Sequence, residues 1–211
     1  MKYLCIFSLI FSVTSITKAD IYYNNTYMPN IKITSWKTQR DQDIVKQAQD
    51  FSCGAASIAT VLNGFYGKKV TEKQILDIMN KKDGKASFDD MEKALVTLGF
   101  KGKGLAVSFD TLTQLKVPVI AYIKHRKSDH FTVISGISSD LVQISDPTLG
   151  KKTLNKYQFM KMWSTRSEPN FQGKVLAILP KDQDIDKREN FFIKNPHQPS
   201  ISAIRYFSSQ H

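Results

Sequence analysis

Cysteine and histidine are scarce in this 211-residue chain: Cys5 and Cys53 are the only thiols, and His125, His130, His197 and His211 the only imidazoles. So few thiols exclude the disulfide framework of a small secreted scaffold. Long apolar runs are missing too. The run from Tyr3 to Val13 falls short of the about 20 residues that a bilayer span needs. No internal repeat is present, which excludes solenoids and propellers. Although the formal net charge is +11, the lysines are scattered through "GKK", "NKKDGK", "FKGKG" and a second "GKK". Without an aromatic-spaced basic stripe, nucleic acid is a poor candidate partner. Solubility, or attraction to acidic partners and cell-surface polymers, accounts for the charge.

What is there begins with "MKYLCIFSLIFSVTSITKAD". Lys2, the short apolar run and Thr17-Lys18-Ala19 have the three parts of a secretory signal, so residues 1–19 are expected to leave by cleavage near Ala19/Asp20. An uncleaved anchor is the alternative. Cleavage removes Lys2 and Lys18, taking the basic residues from 30 to 28 against 19 acids, a formal charge of +9. It also removes Cys5. Cys53 is then the sole thiol of an exported chain, an oxidation liability unless it is buried or put to work.

The remaining length suits one domain with a tail. Residues 20–45 read as an N-terminal extension, with one short strand in "IKITSW". Residues 46–180 read as the domain and 181–211 as a polar tail, whose "FFIKNPHQPSISAIRYF" either docks as an arm or stays free. From Cys53, Ala55, Ile58, Ala59, Leu62 and Phe65 recur at helical spacing until "NGFYG" stops them. The small residues among them suit a central, closely packed helix. Thr71 with Gln74, and Ser87 with Asp90, start two more helices, the second ending at Gly99, with "KKDGK" as a solvated turn between. A short helix is expected around "SFDTLTQLK". From Val117 the texture turns β: "VPVIAYIKH", "HFTVISGI" and "LVQISDP" read as an antiparallel meander. "NKYQFMKMW" follows as a helix and "KVLAILP" as a last strand. Helices first and antiparallel strands afterwards indicate an α+β fold.

Cys53 falls in the first turn of its helix with Ser52 at the N-cap, where unsatisfied N–H groups and the helix dipole favour a thiolate. A cysteine nucleophile needs a base. His197 and His211 lie in the tail, which leaves His125 and His130. His130 opens the strand "HFTVISGI", and Asp146 ends the next strand just before Pro147, so the two belong at one edge of an antiparallel pair. There the carboxylate can orient the imidazole and stabilise its cation. His125 has no such carboxylate in the adjacent run. An oxyanion needs a donor beside the Cys53 N–H; Gln47 and Gln49 are both close enough, and spacing does not separate them.

The stretches "QAQDFSCGAASIATVLNGFYG", "DHFTVISGI" and "LVQISDPTLGKKTL" together resemble the C39 cysteine peptidases, the papain-like double-glycine leader peptidases. The resemblance covers roughly residues 33–179. It implies a papain-like fold with Cys53 as nucleophile, His130 as general base, Asp146 as orienting acid and Gln47, in preference to Gln49, as oxyanion donor. The best-known members are domains of ABC exporters that cut leaders on the cytoplasmic side. This chain, with its signal and without a transporter or ATPase segment, looks more like the stand-alone exported C39 proteins that accompany adhesin, fimbrial or functional-amyloid secretion. The resemblance thus implies a periplasmic or secreted endopeptidase that cuts a polypeptide in transit, after small residues. Exported proteins and outer-membrane secretion components are the expected partners. No nucleic acid, ATP, cofactor or metal is expected, and the chain is expected to be a monomer. Two other readings use the same residues: a peptide-binding module without turnover, and acyl transfer from the thioester to an amine.

Overall fold

The computed structural model describes residues 19–23, 26–31, 35–80, 85–125, 128–182 and 185–197. Apart from Ala19, the expected signal lies outside these residues, as do the end of the tail and, apart from Lys85, the "KKDGK" turn. The chain divides into two units, Met1–Gln39 and Arg40–His211. In the first, β1 (Ala19–Tyr23) and β2 (Thr26–Ile31) form an antiparallel hairpin with Tyr23 opposite Thr26. Residues 32–34, the middle of the strand expected in "IKITSW", lie outside the described residues. β2 ends where that strand should begin, and α1 (Trp36–Asp41) starts on its last residue. The Ser35 hydroxyl accepts the Thr38 N–H at 3.1 Å, a helix-starting bond that decides Trp36 against a strand.

The second unit opens with helices. α2 (Cys53–Gly64) is buried along almost its whole length, as its run of small residues allows. α3 (Glu72–Met79) and α4 (Phe88–Thr97) each start at a capping box, Thr71 with Gln74 and Ser87 with Asp90. Gly99 then turns the chain at φ +83°, a conformation that favours glycine. The strands follow: β3 (Phe100–Val107), β4 (Val119–His125), β5 (Ser128–Ile137), β6 (Leu141–Asp146), β7 (Gly150–Asn155), β8 (Gly173–Pro180) and the two-residue β9 (Ile193–Lys194). α5 (Phe109–Thr113) lies between β3 and β4, and α6 (Lys156–Trp163) between β7 and β8. The sheet order is β3-β8-β4-β5-β6-β7, antiparallel throughout, with β9 added in parallel to β5.

Three of these strands, β3, β7 and the two-residue β9, have no counterpart in the sequence reading. β3 is "FKGKGLAV", an edge strand whose inward positions include two glycines. A Cβ at Gly102 would sit 2.9 Å from Leu95 of α4, and one at Gly104 3.1 Å from Glu92, so close helix packing excludes the apolar side chains that would have revealed the strand. β7, "GKKTLN", is the opposite edge. Both edges carry paired lysines, a common way to keep an edge from recruiting another strand.

Alternate residues of the strands feed two cores. Ile120, Val133 and Leu176 pack with α2, α3 and α4, whereas Val119, Ala121, Ile134 and Val175 pack with Phe109, Phe159 and Trp163 of α5 and α6. Because successive strand residues point to opposite faces, the sheet is covered on both sides. The start of the tail docks. Phe191 packs on Gly64, and β9 runs beside Gly136, where a Cβ would lie 2.7 Å from the Ile193 carbonyl oxygen.

Candidate active site

Cys53 is the first residue of α2 and is only 6% exposed. Gly54 lets this helix head sit deep: a Cβ there would already touch Ala86, Met91 and Phe131 at 3.3–3.4 Å. One turn further along, Ser57 donates to the Phe131 carbonyl at 3.3 Å and ties α2 to β5 next to His130. Ser52 occupies the N-cap position, yet its hydroxyl does not cap the helix as expected. It donates to the Gln49 carbonyl at 2.7 Å and accepts from the Gln49 N–H at 3.2 Å, and its backbone (φ −92°, ψ 8°) is not the extended geometry that capping uses. The first N–H groups of α2 therefore stay open at the site, where they can receive negative charge.

His130 lies in β5, which begins two residues earlier than expected, at Ser128. Val133 pairs with Ser145 across the β5–β6 ladder, and continuing that register sets Thr132 opposite Asp146. His130 is therefore a diagonal neighbour of Asp146 on the same face, one pleat away, within reach of a long side chain. Their contact is His130 Nε2 to Asp146 Oδ2 at 2.9 Å. The other carboxylate oxygen, Oδ1, accepts from Thr148 N–H and Leu149 N–H, both at 2.9 Å. Pro147 between them brings no competing donor. Asp146 is thus buried and held at both oxygens.

These contacts set the charges. Burial pushes the His130 imidazolium toward neutrality, but hydrogen bonds to Asp146 and to Cys53, with the charges behind them, outweigh it and raise its pKa from 6.5 to about 9. Burial likewise works against the Asp146 carboxylate. His130 and the two turn N–H groups win, and its pKa is lowered. Since Nε2 is committed to Asp146, the ring nitrogen left for Cys53 is Nδ1. Asp146, His130 and Cys53 thus form one relay across β6, β5 and α2.

Two hollows flank this line and share Lys85 and Asp129. One, about 340 Å³, is walled by Cys53, Ala86, Phe88, Tyr122, Phe131 and Lys174. Its aromatic side is fixed by ring contacts of Phe131 with Phe88 and Tyr122, and the Tyr122 hydroxyl donates to Asp129 at 2.5 Å. The other, about 410 Å³, is lined mainly by polar residues, among them Gln47, His125, His130, Asp146 and Thr148. Gln47 is half-buried in that wall, its Nε2 donating to the Gln49 carbonyl at 3.0 Å. Gln49 is exposed and contributes its backbone. His125 stands at the rim, opposite Ser128 in the β4–β5 hairpin. His197 lies at the end of the docked tail, where its carbonyl accepts from Thr153, and His211 is outside the described residues. Among the described residues no group of three His, Cys, Asp or Glu is placed to hold a metal. The sequence reading passed over Glu72, whose buried carboxylate receives the Ala48 N–H. The Thr71–Gln74 box marked the helix start, but an acid in a first turn is ordinary there and gave no signal of its own.

The chain is similar to known proteins. A model of the peptidase C39 family matches residues 41–167. The "Probable functional amyloid protease FapD" of Pseudomonas fluorescens is 32% identical over 160 residues, 72% of this chain and 67% of that protein. A double glycine motif protease from an AMS/PCAT transporter, solved in complex with the leader peptide, is 27% identical with a TM-score of 0.53, over 65% of this chain and 90% of its own. The peptidase domain of Streptococcus ComA, a bi-functional ABC transporter, has the same fold at 20% identity with a TM-score of 0.54, over 65% of this chain and 97% of that domain.

Proposed function

The chain belongs to the peptidase C39 family and is a cysteine peptidase, and from that premise we propose that it is an exported endopeptidase acting on a client in transit through a functional-amyloid or related secretion system. His130 takes the Cys53 proton, and the sulfur attacks the scissile carbonyl carbon. The tetrahedral oxyanion is received by the Cys53 N–H and the free N–H of the Gln47 amide. His130 then gives its proton to the leaving amine, the C–N bond breaks, and a thioester remains on Cys53. Water, deprotonated by His130, attacks that thioester and releases the acid and the thiol. Asp146 takes no proton; it holds the ring and its charge.

The observation that carries this reading is the 2.9 Å contact between His130 Nε2 and Asp146 Oδ2, which leaves the other ring nitrogen to Cys53. Similarity to a probable functional amyloid protease supports the class of client. The signal-like composition of residues 1–19 supports export to the periplasm. The test compares new N-termini in the periplasmic and secreted proteins of cells carrying the wild type or Cys53→Ser. Clients cut only in the wild type are expected, together with a periplasmic chain that begins near Asp20. Identical N-termini in both strains, or a full-length cytoplasmic chain, would refute the proposal.

A further inference from the structure

Building on the cysteine-peptidase reading, we propose that Glu72 is the positioning residue of the oxyanion donor: its buried carboxylate holds the backbone beside Gln47 and keeps that amide in the wall of the cleft. Residues 44–47 have no regular structure, so neither a helix nor a ladder sets the shape of this segment. It is pinned from outside, residue by residue. Val45 N–H donates to Thr60 Oγ1 at 3.0 Å, the Lys46 ammonium to the Thr148 carbonyl at 2.7 Å, and Gln47 N–H to the Pro147 carbonyl at 3.2 Å. Ala48 N–H reaches both oxygens of Glu72, at 2.9 and 3.2 Å.

Gln47 is therefore clamped between two anchors: the turn that follows Asp146, and Glu72 at the head of α3. The second is the unusual one. Glu72 is 9% exposed and makes no ion pair among the described residues. Burying a carboxylate costs free energy unless hydrogen bonds replace its water. An acid serving only the helix dipole could do so from the surface. This one is turned onto a neighbouring loop, where it makes a charge-assisted bond stronger than a neutral one. The Gln47 amide depends on that loop. One of its Nε2 hydrogens goes to the Gln49 carbonyl, and its Oε1 is buried without a partner, so the backbone of 47–49 sets where the second Nε2 hydrogen points. The Thr71–Gln74 box does not involve Glu72, so α3 keeps its start when Glu72 is changed.

The test compares two reactions of Cys53 in the full chain. Acylation by p-nitrophenyl acetate passes through a tetrahedral oxyanion, whereas alkylation by iodoacetamide does not. Glu72→Ala is expected to slow acylation about tenfold, the rate equivalent of one hydrogen bond, with alkylation unchanged. Glu72→Gln, which keeps an acceptor oxygen, should restore most of the rate. In a Gln47→Ala background, Glu72→Ala should add almost nothing. Full additivity, equal slowing of both reactions, or no slowing would each overturn the proposal. If Glu72→Ala does not fold, Glu72→Met fills the same space without an acceptor; failure of both assigns Glu72 to the fold and also overturns it. A wild type that is alkylated but never acylated would instead sink the peptidase reading itself.

Discussion

Replacing Asp146 with Asn keeps the shape of the side chain and its oxygen for Thr148 and Leu149, but removes the charge that faces His130. In the folded protein His130 titrates at about 9 instead of 6.5: burial opposes its charge, and Asp146 leads the groups that outweigh burial, with Cys53 second. A shift of that size corresponds to about 3 kcal/mol. Cys53 shares it, so the loss of Asp146 alone should cost about 2 kcal/mol. The sign follows from which state binds the proton more tightly. The folded pKa is the higher, so the His130 contribution is complete below pH 6.5 and lost as pH rises through about 9. Asp146 has a lowered folded pKa, so its own contribution is complete above the ordinary carboxylate range and lost in acid. Urea unfolding of reduced wild type and Asp146→Asn at pH 5.5 and pH 9.5 reads this out. The gap should be about 2 kcal/mol at the lower pH and mostly closed at the higher. By NMR, the titration of His130 should fall well below 9 in the variant. A gap independent of pH, or an unmoved His130, would show that the pair is not coupled as its geometry requires.

Gln47→Ala should slow acylation of Cys53 by a factor of about 100 to 1,000, the size of one oxyanion donor, while Gln49→Ala and His125→Ala stay near wild type in the same stopped-flow assay. A dead Gln49→Ala beside a healthy Gln47→Ala would reassign the donor. Gly173→Ala should cost about 2 kcal/mol or more in thermal or urea unfolding, because its Cβ would lie 2.3 Å from the fully buried Trp163 ring. An unchanged midpoint would mean that the core under α6 is looser than described.

The parts of the fold legible in the sequence are those set by neighbours along the chain. The boxes at Thr71–Gln74 and Ser87–Asp90 are bonds across three residues, so residue identity reveals them. The β5–β6 hairpin, with Ser138–Asp140 as its turn, is nearly as local, and it carries His130 to Asp146. Long-range facts were hidden. β3 is an edge with few inward apolar side chains, and what makes it a strand is a partner far away, β8, across about 75 residues. β7 pairs with the adjacent β6 across the turn 147–149, but few of its side chains are apolar and inward, so its pattern gave no strand signal. Ser52 satisfied the composition rule for an N-cap, but the loop carbonyl at Gln49 claimed its hydroxyl.

Composition and local pattern thus determined an α+β chain with a thiol at a helix start and an imidazole beside a carboxylate. Tertiary structure decided the rest. It placed β8 between β3 and β4, set that thiol beside the imidazole through α2 packing on β5, and turned Glu72 inward onto the loop of Gln47. The physical reason is the same in each case. A bond between residues three apart depends on their identities alone, whereas a carboxylate that meets an N–H 24 residues away depends on everything that folds between them.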